Sequence, residues 1–462
     1  MQQEVIEDLL KETLDRWGIP GASMAVLTDG NIVEAAAGVA NVNTGLRVTP
    51  DTLFPYGSIT KVLTSTMVLH LVEQGLVALD APVVEYVPEF SPATPELAQR
   101  ISVRHLLAHS SGLPGTIFRD TGWGEDALRL NVELINQYPH YFEPGLMFSY
   151  CNSGLLLLGR IVESITGEYW HKAFQSVLAK PLGAETMVTR PEFALRHEFA
   201  VGHLRNPKTG AWLADPHPFA FASHSPAGST PAGRARDLLK VVAVYLGLGE
   251  HRGYIGQDLA QEAWKTQSQP PTELLHKRWG LGWTLFDWSD DTEVVGHNGS
   301  TAGTISFLRV HPESGTAVAL LVNSINGALV YDKVFSEVFR SLTGVWEPGV
   351  PSLQADFQPE VERYEGAFED IHGRIELRAQ GEELRVYSVP KGDNVGLAGE
   401  TTSAVLHNYT ENGFYTVGEV SRYTANEGNE KTRLVAHSAL CTLGNGELYY
   451  HDGYLALKSA GM

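Results

Sequence analysis

The chain has 462 residues, 43% hydrophobic and 19% charged, with 34 Lys and Arg against 54 Asp and Glu for a formal charge of −20. That length exceeds one small core and predicts two domains. An acidic balance of this size repels phosphate backbones, which argues against nucleic acid or an anionic membrane as partner.

The N-terminus, Met1-Gln2-Gln3-Glu4-Val5-Ile6-Glu7-Asp8, is acidic and lacks the basic start and apolar centre of a secretory leader. No apolar run approaches the roughly 20 residues needed to span a bilayer. The two cysteines, Cys151 and Cys441, fall in different expected domains, a usage suited to a reducing compartment. A soluble, cytoplasmic protein is the expectation.

Residues 4–17 show an amphipathic helical pattern that stops at Gly18 and Pro20. Strands follow at Ala22–Leu27 and Asn31–Ala37, joined through Asp29-Gly30, a hairpin signal. Residues 58–74 read as a helix apolar nearly all round, hence buried, with Gly75 placed to end it. The stretch 80–270 is helical and loop-rich, with helices near 102–109, 154–166, 170–179 and 235–247. Strands return at Gly282–Trp288, Glu293–His297, Gly303–Val310 and Thr316–Asn323, and a helix at Tyr331–Leu342 follows. Strands at both ends with helices between predict an α+β fold: one antiparallel sheet built from both ends of the segment, flanked by helices, beside a helical subdomain.

Pro348, Gly349 and Pro351 mark a linker. Beyond about residue 358, short alternating stretches are separated by turn signals such as Asn412-Gly413, Gly444-Asn445-Gly446 and Asp452-Gly453. Seven or eight strands without a helix predict a small antiparallel barrel or sandwich. The expected division is 1–347 and 358–462.

Three segments carry chemistry. Ser58 and Lys61, in Phe54-Pro55-Tyr56-Gly57-Ser58-Ile59-Thr60-Lys61, put a hydroxyl and an amine one turn apart at the start of the buried helix. Desolvation there lowers the lysine pKa, which lets it act as a base toward the serine. The pattern alone is weak, since Ser-x-x-Lys arises by chance about once in a few hundred residues. A second copy, Ser388 to Lys391, encloses Pro390. The second segment is Tyr150-Cys151-Asn152, a phenol able to relay a proton beside an amide able to hold a carbonyl or the lysine. The third is Gly296-His297-Asn298-Gly299-Ser300-Thr301-Ala302-Gly303, whose glycines suit close backbone approach and an N–H offered to an oxyanion.

In this order and spacing the three segments resemble the serine β-lactamase and penicillin-binding-protein superfamily, closest to its class C-like esterase and D-aminopeptidase branch. That family's pattern is Ser-x-x-Lys, then Tyr-x-Asn, then a Lys-Thr-Gly or His-x-Gly strand. The resemblance covers about residues 5–345 and includes Val103-Arg104-His105-Leu106-Leu107-Ala108-His109-Ser110-Ser111-Gly112-Leu113-Pro114. It implies a serine hydrolase in which Ser58 is acylated, Lys61 takes its proton and Tyr150 protonates the leaving group. Asn152 would orient Lys61 and substrate, with His297, Asn298 and Gly299 also at the substrate. The backbone N–H groups of Ser58 and Ser300 would form the oxyanion hole. No metal or cofactor is called for, and the substrate is a small ester, amide or peptide.

Penicillin-directed members carry lysine where this chain has His297. A mostly neutral histidine anchors a carboxylate poorly, which disfavours β-lactam or C-terminal carboxylate substrates. By texture and position, 358–462 resembles the lipocalin-like barrel appended to some members. An acyltransferase, a weak β-lactamase and a non-catalytic binding protein are the alternatives, and a homo-oligomer is left open. His105 and His109 have zinc-like spacing without the glutamate of a metalloprotease motif and read as structural. Trp279, Trp283 and Trp288 read as sheet core, with Trp283 the one closest to a pocket. The loops at about 115–145 and 200–230 are expected to line the pocket.

Overall fold

The computed structural model describes residues 3–206, 208–271, 277–348, 361–391, 402–408, 413–424, 428–442, 448–451 and 455–458. Helix α1, Gln3–Trp17, buries Ile6, Leu10 and Leu14, one face at a four-residue repeat. Strands β1, Gly21–Thr28, and β2, Asn31–Asn41, form a hairpin. Its turn residues Asp29 and Gly30 have φ of 51° and 74°. Positive φ at both centres is the type I′ geometry that matches strand twist, and Asp and Gly tolerate it.

The short β3, Leu46–Arg47, precedes α2, Thr60–Glu73. The chain then passes through a helical region that includes Val103–Leu107, Ala127–Ile135, α3 at Asn152–Thr166, and α4 at Ala235–Tyr245. Ala127–Ile135 and a further helix, Gln257–Ala263, add to those expected. Strands β4, Lys277–Trp279, β5, Thr284–Asp287, β6, Glu293–Thr301, β7, Thr304–His311, and β8, Thr316–Val322, complete one sheet of order β3-β2-β1-β8-β7-β6-β5-β4. The two ends of the segment meet at its centre, where β1 runs antiparallel to β8 with Ala22 opposite Val322 and Ala25 opposite Ala319.

Both faces of this sheet are covered. Along β8, Val318, Leu320 and Val322 pack with α1 and with Val334, Phe335 and Phe339 of the closing helical segment. The alternate residues Ala317, Ala319 and Leu321 pack with α2, α3 and α4 through Leu63, Val68, Leu155, Leu158, Leu239 and Val242. The two-residue period of a strand divides the core in this way. Helix α2 lies in the deeper layer and is buried from Thr60 through Leu69. Among the described residues no helix is long and apolar enough to cross a membrane.

Strands Gly366–Glu369, Gly373–Gln380, Glu383–Pro390, Thr402–Asn408, Gly413–Thr424, Gly428–Thr442, Leu448–His451 and Leu455–Lys458 form a closed antiparallel barrel, with Phe368 opposite Lys458 at closure. Its core includes Tyr364, Phe368, Leu377, Leu384, Leu440 and Tyr450. The expected turn and linker signals at 349, 351, 412, 444–446 and 452–453 lie outside the described residues.

The barrel meets the helical region at the segment that leads into Tyr150. The Ile371 amide donates to Tyr141 Oη at 3.1 Å, and His451 Nε2 donates to the Phe148 carbonyl at 3.1 Å. Burial lowers the His451 pKa to about 4, so the ring is neutral and serves as a plain N–H donor. Replacing His451 by Phe keeps a ring but orphans the buried Phe148 carbonyl. The expected cost is about 1–3 kcal/mol in denaturant unfolding; unchanged stability would mean that this bond holds nothing together.

Candidate active site

The turn that presents Ser58 is fixed from several sides. Phe54 and Pro55 pair with Gly233 and Ala232, and the Tyr56 hydroxyl donates to the Arg234 carbonyl at 2.8 Å. Gly57–Ile59 makes one 3₁₀ turn that runs straight into α2. Ser58 therefore does not serve as an N-cap; no side chain caps α2.

Lys61 lies one turn further on and is 1% exposed. Its ammonium nitrogen is 3.0 Å from Ser58 Oγ and 2.7 Å from the Ala227 carbonyl. Neither partner carries a charge. Desolvation lowers the Lys61 pKa to about 7, against a small opposing effect from Cys151. The amine is thus poised between its two protonation states near neutrality.

Tyr150 stands beside this pair, with Lys61 Nζ 4.8 Å from its ring centroid. The ring is held in an aromatic nest, 4.5 Å from His109, 6.1 Å from Trp279 and 6.3 Å from His297 between centroids. His109 ends the Val103–Leu107 helix with φ of 55°, and its Nδ1 accepts the Cys151 amide at 3.0 Å. Burial, followed by the Lys61 charge, holds the His109 pKa well below its usual value, so Nδ1 stays an acceptor. Asn152 opens α3 and donates through Nδ2 to Thr116 Oγ1 at 2.7 Å. Its buried Oδ1 accepts no hydrogen bond among the described residues, so the expected hold on Lys61 is not formed.

The third segment reaches Ser58 through backbone contact. A Cβ on Gly57, whose φ is +55°, would lie 2.4 Å from the Ser300 nitrogen. One on Gly299 would lie 2.0 Å from the Tyr56 carbonyl oxygen and 3.1 Å from the Ser58 nitrogen. Ser306 Oγ donates to the Tyr56 carbonyl at 2.7 Å and ties β7 to the same turn. Only glycine allows this approach, and it brings the Ser58 and Ser300 amides to one edge of the site.

The residues just before them face elsewhere. His297 is 4% exposed and turns toward Tyr150 and Trp279. Its Nδ1 donates to the Asn298 carbonyl at 2.5 Å, and burial, reinforced by Lys61, lowers its pKa to about 3. Asn298 accepts from Arg309 Nη1 at 2.8 Å, and that guanidinium is itself buried between Phe286 and Tyr331. Substrate contact was expected at His297, Asn298 and Gly299; Ser300, Thr301 and Ala302 form this strand's wall of the cleft.

That cleft encloses about 710 Å³ in front of Ser58 and is lined by Asn152, Ser300 and both expected loops. Thr116, Phe118 and Trp123 come from one loop, and Asp215, His217, Phe219 and Phe221 from the other. The sequence reading missed His109 and Trp279 as neighbours of Tyr150. The strained His109 directly before Ser110-Ser111-Gly112 was the available signal for the first. Trp283, expected nearer a pocket, is fully buried against Tyr245 and Trp264. His105 caps its own helix with Ser102 and does not join His109. The second Ser-x-x-Lys is surface structure: Ser388 sits in a barrel strand and exposed Lys391 pairs with Glu369.

The Beta-lactamase family profile matches residues 6–335, well over half the chain. The chain belongs to the Beta-lactamase family. Penicillin-binding protein 4 of Amycolatopsis lactamdurans is 34% identical over 359 residues, 74% of this chain and 90% of that protein. Esterase EstB of Burkholderia gladioli is 27% identical, over 69% of this chain and 90% of its own. The solved structures of SurE, alone and with D-Leu, are 23% and 24% identical, with TM-scores of 0.79 and 0.73 over 99% of both chains. Family membership makes this a serine-hydrolase scaffold with esterase relatives.

Gly299→Ala tests the backbone approach. The added methyl displaces β6 from the Ser58 turn and is expected to slow phosphonate labelling of the protein at least about tenfold, as losing an oxyanion donor does. Labelling at the wild-type rate would show that the approach is dispensable.

Proposed function

We propose that the protein is a serine hydrolase that cleaves esters, and amides or peptides including those with D-residues, through an acyl-enzyme on Ser58. The observation that carries this reading is the buried Lys61, 3.0 Å from the Ser58 hydroxyl with its pKa brought to about 7. Neutral Lys61 accepts the Ser58 proton as Oγ bonds to the substrate carbonyl carbon. The carbonyl oxygen becomes an oxyanion facing the Ser58 and Ser300 N–H groups, worth a few kcal/mol in such sites. Collapse breaks the bond to the leaving group, which takes a proton by way of Tyr150. Water then attacks the ester, its proton passes to the same basic groups, and Ser58 is released.

The substrate preference rests on charge. The position where a lysine would anchor a carboxylate holds His297, kept neutral by burial at any pH above about 3. Among the described residues neither lysine nor arginine lines the cleft. Penicillins and peptides ending in a carboxylate are therefore disfavoured against neutral esters and amides. EstB supports the ester reading, and SurE, solved with D-Leu, supports extension to D-residues. The barrel, which we read as lipocalin-like, braces the 141–148 segment that carries Tyr150 into place.

Two measurements follow. Acylation by p-nitrophenyl esters should rise with pH through an apparent pKa of about 7 as Lys61 loses its proton, and Ser58→Ala should abolish both turnover and phosphonate labelling. Full activity in Ser58→Ala would refute the reading. Stability gives an independent check. Between pH about 7 and 10.5 the unfolded chain holds a proton on Lys61 that the folded chain has released. Stability from this group therefore rises with pH across that window. In urea unfolding, wild type should gain on Lys61→Met between pH 7 and 10; a constant gap would contradict a lowered lysine pKa.

A further inference from the structure

The cleft in front of Ser58 has one feature that the hydrolytic reading leaves unused. Among the described residues that line it, Asp215 is the only charged side chain, apart from the histidines His217 and His224. Burial lowers the pKa of His224, whose Nε2 donates to the Ile117 carbonyl at 2.8 Å. Among the described residues Asp215 forms no ion pair with Lys or Arg, although one oxygen accepts the His217 amide at 2.8 Å.

Its place is built by backbone contacts and does not depend on loop geometry alone. The Asp215 amide donates to the Gly202 carbonyl at 2.8 Å. Gly202 lies so close to the β6–β7 turn that a Cβ there would come within 1.7 Å of the Ala302 carbonyl oxygen. The His203 amide bonds the Gly303 carbonyl at 3.1 Å in the same seam. Asp215 is thereby moored to the turn that follows Ser300, and both residues line the one cleft. The rings of Phe118, Trp123, Phe219 and Phe221 line the same cleft.

A lone carboxylate among aromatic faces is a receptor for an ammonium group: the carboxylate supplies charge and hydrogen bonds, and the rings supply quadrupole attraction. The chain's charge of −20 raises the local concentration of cations as well. We propose that Asp215 selects substrates carrying a protonated amine, such as aminoacyl esters and amides. This deepens the hydrolytic reading and rests on it for turnover.

The test uses p-nitrophenyl esters of ω-amino acids two to six carbons long, each matched with the fatty-acid ester of equal chain length. The readout is the ratio of kcat/KM, ammonium over alkyl. At the best length wild type should favour the ammonium ester roughly 3- to 10-fold, the range expected of a half-exposed charge pair with ring contacts. In Asp215→Asn the ratio should fall to about unity, while Glu313→Gln, an exposed acid on the β7–β8 turn, should keep it. An unchanged ratio in Asp215→Asn overturns the proposal. If wild type cleaves neither ester, the hydrolytic reading fails by itself, and binding then decides. Trp123 fluorescence of Ser58→Ala should respond to phenethylamine more strongly than to phenethyl alcohol, and a further Asp215→Asn change should erase the difference. Equal responses overturn the ammonium site independently of turnover.

Discussion

Taking the Lys61 amine out of water is the constraint around which the site is arranged. Among the described residues a charged ammonium in that position meets a serine hydroxyl, a peptide carbonyl and the face of Tyr150, far too little to replace its hydration. The protein resolves this by holding the lysine near its titration point, and in the proposed chemistry the same desolvation lets it serve as the base toward Ser58. Among the described residues no carboxylate approaches to restore the charge. His297 and His109, the other titratable groups in the nest, are driven neutral by burial and by Lys61 itself. In the proposed chemistry, proton transfer falls to the Lys61 amine and the Tyr150 phenol.

That arrangement needs a helix deep in the core, and the topology supplies one. Because β1 and β8 meet at the sheet centre, the deeper layer of helices is walled on one side by strands from both ends of the segment. Helix α2 sits there, with Ser58 at its mouth. The same closure carries β6 past the Ser58 turn, where Gly57 and Gly299 let backbones touch. The close approach of the Ser58 and Ser300 amides is thus a consequence of sheet register as much as of the residues around them.

The sequence made the helix, the sheet and the three segments of the candidate site legible, because each leaves a local signature. An unbroken apolar run announces α2, Asp29-Gly30 announces the hairpin, and glycine-rich β6 announces close approach. What it hid were contacts among distant residues that carry no local mark. Trp279 looked like any sheet tryptophan until the fold set it against Tyr150. Asn152 seemed placed to hold Lys61, yet Thr116, 36 positions earlier, takes its amide. His451 lies 303 positions from the Phe148 carbonyl it bonds, and only barrel closure brings it there. Asp215 drew no notice, since a single acid in a loop is common, and its place in a cleft wall that holds no lysine or arginine among the described residues is visible only in the fold.

The central claim is that burial alone brings Lys61 to neutrality near physiological pH. The direct measurement is a heteronuclear NMR titration of protein labelled at lysine Nζ, with the Lys61 resonance assigned by its loss in Lys61→Met. The account predicts a midpoint near 7, well apart from the exposed lysines. A midpoint near 10.5, the ordinary lysine value, would contradict it and remove the base from the proposed chemistry.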